Sequence, residues 1–266
     1  MFSSHFTLAI LEAQNMNKYH IGTGYFSRPN HGAEEFFKIW YANTLDHSQP
    51  KRITILSCGG CAIPGAPGQW INLDGDIGHV GQILSGAKKF PYPSGALTIC
   101  ALALLAYLDE CDFIFKEQDL LAFGDWPGRI YSEADAGGHE MMIGRQKCMP
   151  CAMSLMLIRH SFILEFVRWF LSSEAEVRGD SLSEHKLARW QASNPGKIGY
   201  FSFGYDRDRP FNMDDDVWYA QKYSIDELKA LEGAGLIGKF IYPEGVKYFT
   251  NDTPPENAAE GCRNES

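Results

Sequence analysis

From residue 95 to residue 108 the chain reads Gly-Ala-Leu-Thr-Ile-Cys-Ala-Leu-Ala-Leu-Leu-Ala-Tyr-Leu, without a single charge. A run of this length and polarity is a nearly all-apolar helix, and such a helix is expected to be buried. It is shorter than the roughly 20 residues that a membrane span requires, so the layer that buries it is a sheet of the same chain. Ser94 stands where an N-cap is wanted, and the run ends at Asp109-Glu-Cys-Asp112. A short strand follows at 113–116, Phe-Ile-Phe-Lys, and delivers Glu117 and Asp119. Side chains alternate along a strand, so residues at i and i+2 share a side. Two carboxylates on one side of a strand end reach a hard divalent cation or its waters. The plainer alternative is a strand that closes in a polar turn.

The remaining elements fall on either side of this unit. Residues 6–11, Phe-Thr-Leu-Ala-Ile-Leu, read as a first strand. Residues 15–30 are rich in Asn, Gly and Tyr and read as a long loop around Gly22-Thr-Gly-Tyr-Phe-Ser-Arg-Pro29. Residues 33–45 form an amphipathic helix carrying Phe36, Phe37, Trp40 and Tyr41 at core spacing. A strand at 51–58, a third strand at 70–73 and a short helix at 80–86 come next. Between the last two lies a rival acid pair, Asp74-Gly-Asp76, followed by His79. The second half gives a turn at 125–128, a short helix at 129–134 and a polar, glycine-containing loop at 135–140. Strands at 141–144 and 154–158 lead to a helix at 162–171 capped by Ser161. A second helix at 183–190 has Glu184 in its first turn. A strand at 199–203, the charged loop Tyr205-Asp-Arg-Asp-Arg-Pro210, an ordered segment at 217–222 and a helix at 225–231 complete it. The polar tail from residue 251 reads as disordered.

Strand and helix alternate through the first half, which predicts an α/β fold: a mostly parallel central sheet with flanking helices, and a less regular, mixed C-terminal half. One domain is expected over 1–250, with a ligand-binding half at 1–125 and an acceptor half at 126–250. Asp74, Asp76, Glu117 and Asp119 all follow expected strands. They therefore belong at the carboxyl ends of the sheet, where open α/β sheets bind ligands.

Charge narrows the partners. With 24 Lys and Arg against 33 Asp and Glu, the net charge is -9, and a phosphate backbone prefers a basic surface. No apolar run reaches spanning length, and the first residues lack the basic start and long apolar stretch of a leader, so a cytoplasmic location is expected. Of seven cysteines, Cys58–Cys61 and Cys148–Cys151 have CxxC spacing. That spacing fits zinc, or reduced, partly buried thiols beside ordinary turns.

The run from Gly95 through the apolar helix to Asp112-Phe-Ile-Phe-Lys-Glu-Gln-Asp119 resembles the core of GT-A-fold glycosyltransferases, over roughly residues 5–230. Ser183-Glu-His-Lys-Leu-Ala-Arg-Trp190 resembles the acid-led helix that supplies the base in inverting members. The resemblance implies a nucleotide-sugar donor and transfer to an acceptor hydroxyl on a glycan or small molecule. It implies Mg²⁺ or Mn²⁺ at Glu117 and Asp119, and Glu184 as the base. Asp76 becomes a donor contact, and Arg207 and Arg209 become phosphate partners because guanidinium forks match phosphate oxygens. Alternatively, these arginines pair with Asp206 and Asp208 in a surface loop, and Glu184 is a helix-terminal acid favoured by the dipole. His160 and His185 are secondary candidates for a metal or acceptor contact. Trp126, Trp190 and Trp218 are expected in the core. Two departures stand out: the motif is Glu-Gln-Asp rather than Asp-x-Asp, and the downstream pair is Glu-His rather than Glu-Asp. A nucleotidyltransferase, a zinc-stabilised binding module and a non-catalytic sugar-nucleotide binder are the competing readings.

Overall fold

A computed structural model describes residues 19–25, 32–58, 62–73, 93–147, 149–172 and 183–241. The strands among them are β1 (Tyr19–Tyr25), β2 (Arg52–Cys58), β3 (Gln69–Leu73), β4 (Asp112–Lys116), β5 (Leu120–Phe123), β6 (Met141–Gln146), β7 (Met149–Ile158), β8 (Ile198–Tyr200) and β9 (Trp218–Gln221). The helices are α1 (Ala33–Asp46), α2 (Pro93–Leu108), α3 (Trp126–Gly137), α4 (His160–Ser172), α5 (Ser183–Ser193) and α6 (Ile225–Gly233). Seven strands form one sheet in the order β3-β2-β1-β4-β7-β6-β8, and β5 and β9 form a two-stranded ribbon. The first four are mutually parallel, β7 runs antiparallel to β4 and β6, and β8 is parallel to β6. The expected α/β architecture with a mostly parallel sheet and a mixed second half is therefore the observed one.

Strand alternation sorts the core into two layers. On β4, Phe113 and Phe115 join α2, α4 and α5 on one face, while Ile114 joins α1, α3, α6 and the β5–β9 ribbon on the other. The apolar run thus becomes α2, seated against the sheet beside α4, but its burial is one-sided: Leu97, Leu104 and Leu108 are exposed. Among the described residues no helix is long and apolar enough to cross a membrane.

The largest correction concerns β1, which lies inside the stretch expected to be a loop. Its glycines are packing positions. A Cβ on Gly22 would meet Phe113 at 2.6 Å and Leu102 at 3.1 Å, and one on Gly24 would meet Thr98 at 3.1 Å. Glycine here lets α2 close on the sheet, a use of glycine within strands that imitates a turn in sequence. The expected strand at 6–11, the helix at 80–86 and the tail from 251 lie outside the described residues. β5, unexpected from sequence, follows the acid motif directly. The turn at 125–128 is the start of α3, capped by Asp125, whose side chain accepts from the Gly128 N–H at 3.0 Å. That helix runs to Gly137, so most of the expected 135–140 loop is helical or its cap.

α6 begins with a reciprocal capping box: Ser224 Oγ accepts from the Glu227 N–H at 3.2 Å, and Glu227 accepts from the Ser224 N–H at 2.7 Å. Replacing Ser224 with alanine is expected to lower stability by about 1 kcal/mol, read as a lower urea midpoint at unchanged slope.

Candidate active site

The chain runs outward from β1 to β2 and β3, then returns through α2 to place β4 on the other side of β1. Such a reversal opens a crevice at the carboxyl ends of the two strands where the winding changes, here β1 and β4. The acid motif sits at that end of β4. Glu117 and Asp119 are not brought together by continued strand alternation. Instead the Leu120 N–H donates to the Glu117 carbonyl at 3.0 Å, closing a turn over Glu117-Gln-Asp-Leu120 before β5 starts. Trp40 Nε1 also donates to that carbonyl, at 2.9 Å, tying the turn to α1. On the other side the Glu117 N–H donates to the Ser154 carbonyl at 2.8 Å. Ser154 lies in a bulge of β7: Ile143 pairs with Met156 but Gly144 pairs with Ala152, leaving residues 153–155 without partners on β6. Bulges of this kind re-aim groups beside functional sites.

The ribbon brings in what the sequence did not announce. Leu120 of β5 pairs with Gln221 of β9, so the next position along each strand sets Asp119 opposite Lys222. Lys222 Nζ lies 2.7 Å from Asp119 Oδ2. On the far side of β9, Asp206 bridges to Ala220, and the Gln221 N–H donates to the Asp206 carbonyl at 2.7 Å. Asp206 is fully buried; its carboxylate accepts from Ser154 Oγ, and from Gln221 Nε2 at 3.0 Å. Lys222 and Asp206 both hold left-handed backbones, φ 60° and 50°. A non-glycine residue there costs about 1–2 kcal/mol, and such outliers gather at functional sites.

Charges act strongly on one another in this cluster. Burial, then the Asp119 carboxylate, pushes the half-buried Glu117 up to about 7, against the pull of Lys222 and Arg207. Burial also raises Asp206, opposed first by the Ser154 hydrogen bond and then by Arg207. For Lys222, burial is the largest influence and lowers its pKa, but Asp119 and Glu117 outweigh it and the net shift is upward. Three oxygens are left over: Asp119 Oδ1, Asp206 Oδ2 and Gln221 Oε1 are buried with no hydrogen-bond partner. A buried acceptor without a donor costs about 1–3 kcal/mol, so each is a position that a ligand's donors would relieve.

The all-oxygen chemistry of Glu117, Asp119 and Asp206 suits Mg²⁺ or Mn²⁺. Their arrangement does not. Lys222 already stands on Asp119, and among the described residues no three His, Cys, Asp or Glu side chains converge as a ligand set. The divalent ion expected at Glu117 and Asp119 therefore does not fit these residues as they are placed.

The two expected phosphate arginines part company. Arg207 is exposed, and its charge acts on Glu117, Asp206 and Lys222. Arg209 gives its fork to Glu227 and to the carbonyls of Asp206, Asp208, Gln221 and Lys222. It is placed as an internal brace, with its fork taken up by these partners. Glu184 is half-buried in the first turn of α5, and its carbonyl accepts from Cys151 Sγ at 3.2 Å. Cys151 also lies within the electrostatic reach of Asp206, which sets Glu184 along β7 from the cluster. Burial pushes the Cys151 thiol up to about 12, so it rests as a thiol. Cys61, Cys148, Asp74, Asp76 and His79 lie outside the described residues, as does the Cys58 side chain. His160 belongs to the other end of the sheet, stacked on Tyr107 with its backbone N–H on Asp112. Trp126, Trp190 and Trp218 are buried in the core, as expected.

Lys222, Asp206, Ser154 and Gln221 were not singled out from sequence as site residues. The available signal was the apolar quartet at 120–123 bounded by Gly124, which reads as a strand. A strand there would have set Asp119 opposite the residue that follows its partner.

No protein-family model and no curated protein sequence matches the chain. Among solved structures, mouse xyloside xylosyltransferase 1 in its apo form is similar over 79% of this chain and 98% of its own, at 10% identity and a TM-score of 0.49. A glycosyltransferase involved in the glycosylation of the major capsid of PBCV-1 is similar over 82% and 98%, at 10% identity and a TM-score of 0.48. Likenesses this distant assign neither an activity nor a ligand.

Proposed function

We propose that the chain is a glycosyltransferase that takes a nucleotide-sugar donor at the carboxyl edge of β1 and β4 and passes its sugar to an acceptor hydroxyl. The observation that carries this reading is the pairing of opposite needs in one cluster. Asp119 Oδ1 and Asp206 Oδ2 are buried acceptors that lack donors, which sugar hydroxyls supply. Lys222 and Arg207 are cations at the same cluster, which a diphosphate complements. A ligand that is polyhydroxylated and anionic answers both, and a nucleotide sugar is such a ligand. Charge developing on the departing diphosphate would meet the Lys222 ammonium, already held in place on Asp119, the usual source of large electrostatic stabilisation. Glu184 is the candidate base for the acceptor hydroxyl, and Asp76 stays a candidate donor contact.

A thermal-shift panel of UDP-, GDP-, CMP- and dTDP-sugars tests this. A ligand present at a hundredfold excess over its Kd stabilises the folded state by about 2.7 kcal/mol, which raises the melting temperature by several degrees. One nucleotide class is expected to do so, and Asp119→Ala is expected to abolish the shift. Nucleoside triphosphates belong in the same panel. A shift from them alone would replace this reading with nucleotidyl transfer, and no shift from any nucleotide would remove it.

A further inference from the structure

Asp119 is 2% exposed, and the group standing against it is an ammonium. The ribbon fixes that encounter. With Leu120 paired to Gln221, Asp119 and Lys222 are cross-strand neighbours one step beyond the ladder. The left-handed backbone of Lys222 ends β9 at this step. Glycine fits such a backbone without steric strain, and here the position is a lysine. The Lys222 carbonyl accepts from Arg209 Nη2 at 3.3 Å, and the neighbouring Gln221 carbonyl accepts from the same nitrogen at 2.8 Å. The lysine is therefore held from both ends, by its own main chain and by Asp119.

A divalent ion at Asp119 would have to displace this ammonium, and among the described residues no ligand triad waits for it. The cluster already holds cations of its own beside its acids. Lys222 sits between the acids Glu117 and Asp119 electrostatically, and exposed Arg207 adds a second cation acting on the same groups. Building on the nucleotide-sugar reading above, we propose that Lys222 is the resident cation of this site: its ammonium, held on Asp119, takes the charge of the donor's diphosphate, and donor binding requires no divalent ion. Asp119 is then the residue that positions Lys222, and its unpaired Oδ1, with Oδ2 of Asp206, is left to accept from the donor's hydroxyls.

The test uses the whole chain and the UDP-, GDP-, CMP- and dTDP-sugar panel, measured by thermal shift and titration calorimetry with EDTA or with Mn²⁺. The sugar nucleotide that binds is expected to bind equally well in both. Lys222→Met is expected to weaken it by about tenfold or more, the scale of one charge-assisted hydrogen bond. Lys222→Arg is expected to keep most of the affinity. Because Lys222→Met leaves Asp119 buried without a partner, Lys222→Met/Asp119→Asn provides a neutral pair that controls for misfolding, with the same loss expected. Binding that disappears in EDTA and returns with Mn²⁺ would overturn the proposal while leaving the glycosyltransferase reading intact. So would undiminished binding by a folded Lys222→Met protein. Failure of every sugar nucleotide under both conditions would sink the functional reading itself, and this proposal with it.

Discussion

Arg209→Met is expected to lower the stability of the folded chain by about 3 kcal/mol, seen as a lower urea midpoint at unchanged slope. Methionine keeps an apolar stem of similar reach but removes every donor of the fork, together with the guanidinium that lies over the rings of Phe211 and Tyr223. Nε and Nη2 reach the two oxygens of Glu227 at 2.5 and 3.4 Å. Nη1 reaches the carbonyls of Asp208 at 3.0 Å and Asp206 at 3.4 Å, and Nη2 reaches that of Gln221 at 2.8 Å. Hydrogen bonds to a charged group contribute about 1.5–3 kcal/mol each, and less than their sum when they share one donor group. The side chain is 22% exposed and Glu227 26%, so water recovers part of the loss, which is why the estimate stays below that of a fully buried pair. Against a typical total of about 5–15 kcal/mol, the loss is large. It falls on the segment that carries Asp206 and Lys222, so donor affinity should drop as well. Arg207→Met is the contrast: its guanidinium is exposed, and the expected loss is in ligand binding with the urea midpoint little changed. A midpoint for Arg209→Met within experimental error of the parent protein would contradict the bracing role.

The contrast between those two arginines shows what the sequence could and could not tell. Tyr205-Asp-Arg-Asp-Arg-Pro210 offers two arginines with equal claims on a phosphate. Which one is consumed internally depends on Glu227 and on the carbonyls that end β9, contacts made across sequence separations that no local pattern encodes. Elements whose stability is local were legible. The unbroken apolar run at 95–108, the aromatic spacing of α1 and the strand at 113–116 all lie where their patterns put them. β1 was hidden because Gly22 and Gly24 serve α2 from across the core, and two glycines beside Asn and Tyr imitate a loop. The acid motif stands at the end of β4, as strand length alone places it, but its geometry has a further cause. Its position at the carboxyl end of a strand followed from element order, while the reversal of winding between β1 and β4 is visible only in the sheet. The turn that gathers Glu117 and Asp119, and the lysine that answers Asp119, follow from the β5–β9 pairing, whose two strands lie about a hundred residues apart in the chain.

Lys116 shows the same limit in an energetic form, and Lys116→Met is expected to flatten the pH dependence of stability. In sequence Lys116 reads as the polar end of a strand. In the structure it is fully buried, on the same side of β4 as Ile114 and facing α1. Its Nζ donates to Asn43 Oδ1 at 3.0 Å and Thr44 Oγ1 at 2.7 Å, and lies 5.0 Å from the centre of the Trp40 ring. None of these partners is an anion, and burial holds its pKa well below the ordinary 10.5. Between that depressed value and 10.5 the unfolded chain binds a proton that the folded chain does not, so stability rises with pH across the window. Equivalently, the lysine costs progressively more as pH falls below 10.5, until the folded state is protonated too and the cost levels off. Methionine has no such proton. Its partners keep other bonds: Asn43 Oδ1 still accepts from the Ala122 N–H at 3.0 Å, and Thr44 Oγ1 still donates to the Trp40 carbonyl at 2.6 Å. The variant should therefore be neutral to stabilised, by up to about 4 kcal/mol as for other buried charges replaced by apolar groups. Its advantage over the parent protein should widen as pH falls from 10.5. Glu117 also titrates in this range, with the opposite sign, because its raised pKa makes the folded state hold the extra proton below about 7. That contribution is common to both proteins and drops out of their difference. Urea unfolding of the pair from pH 6 to pH 10 reads the difference directly, and a constant gap across that range would mean that Lys116 keeps its proton in the core.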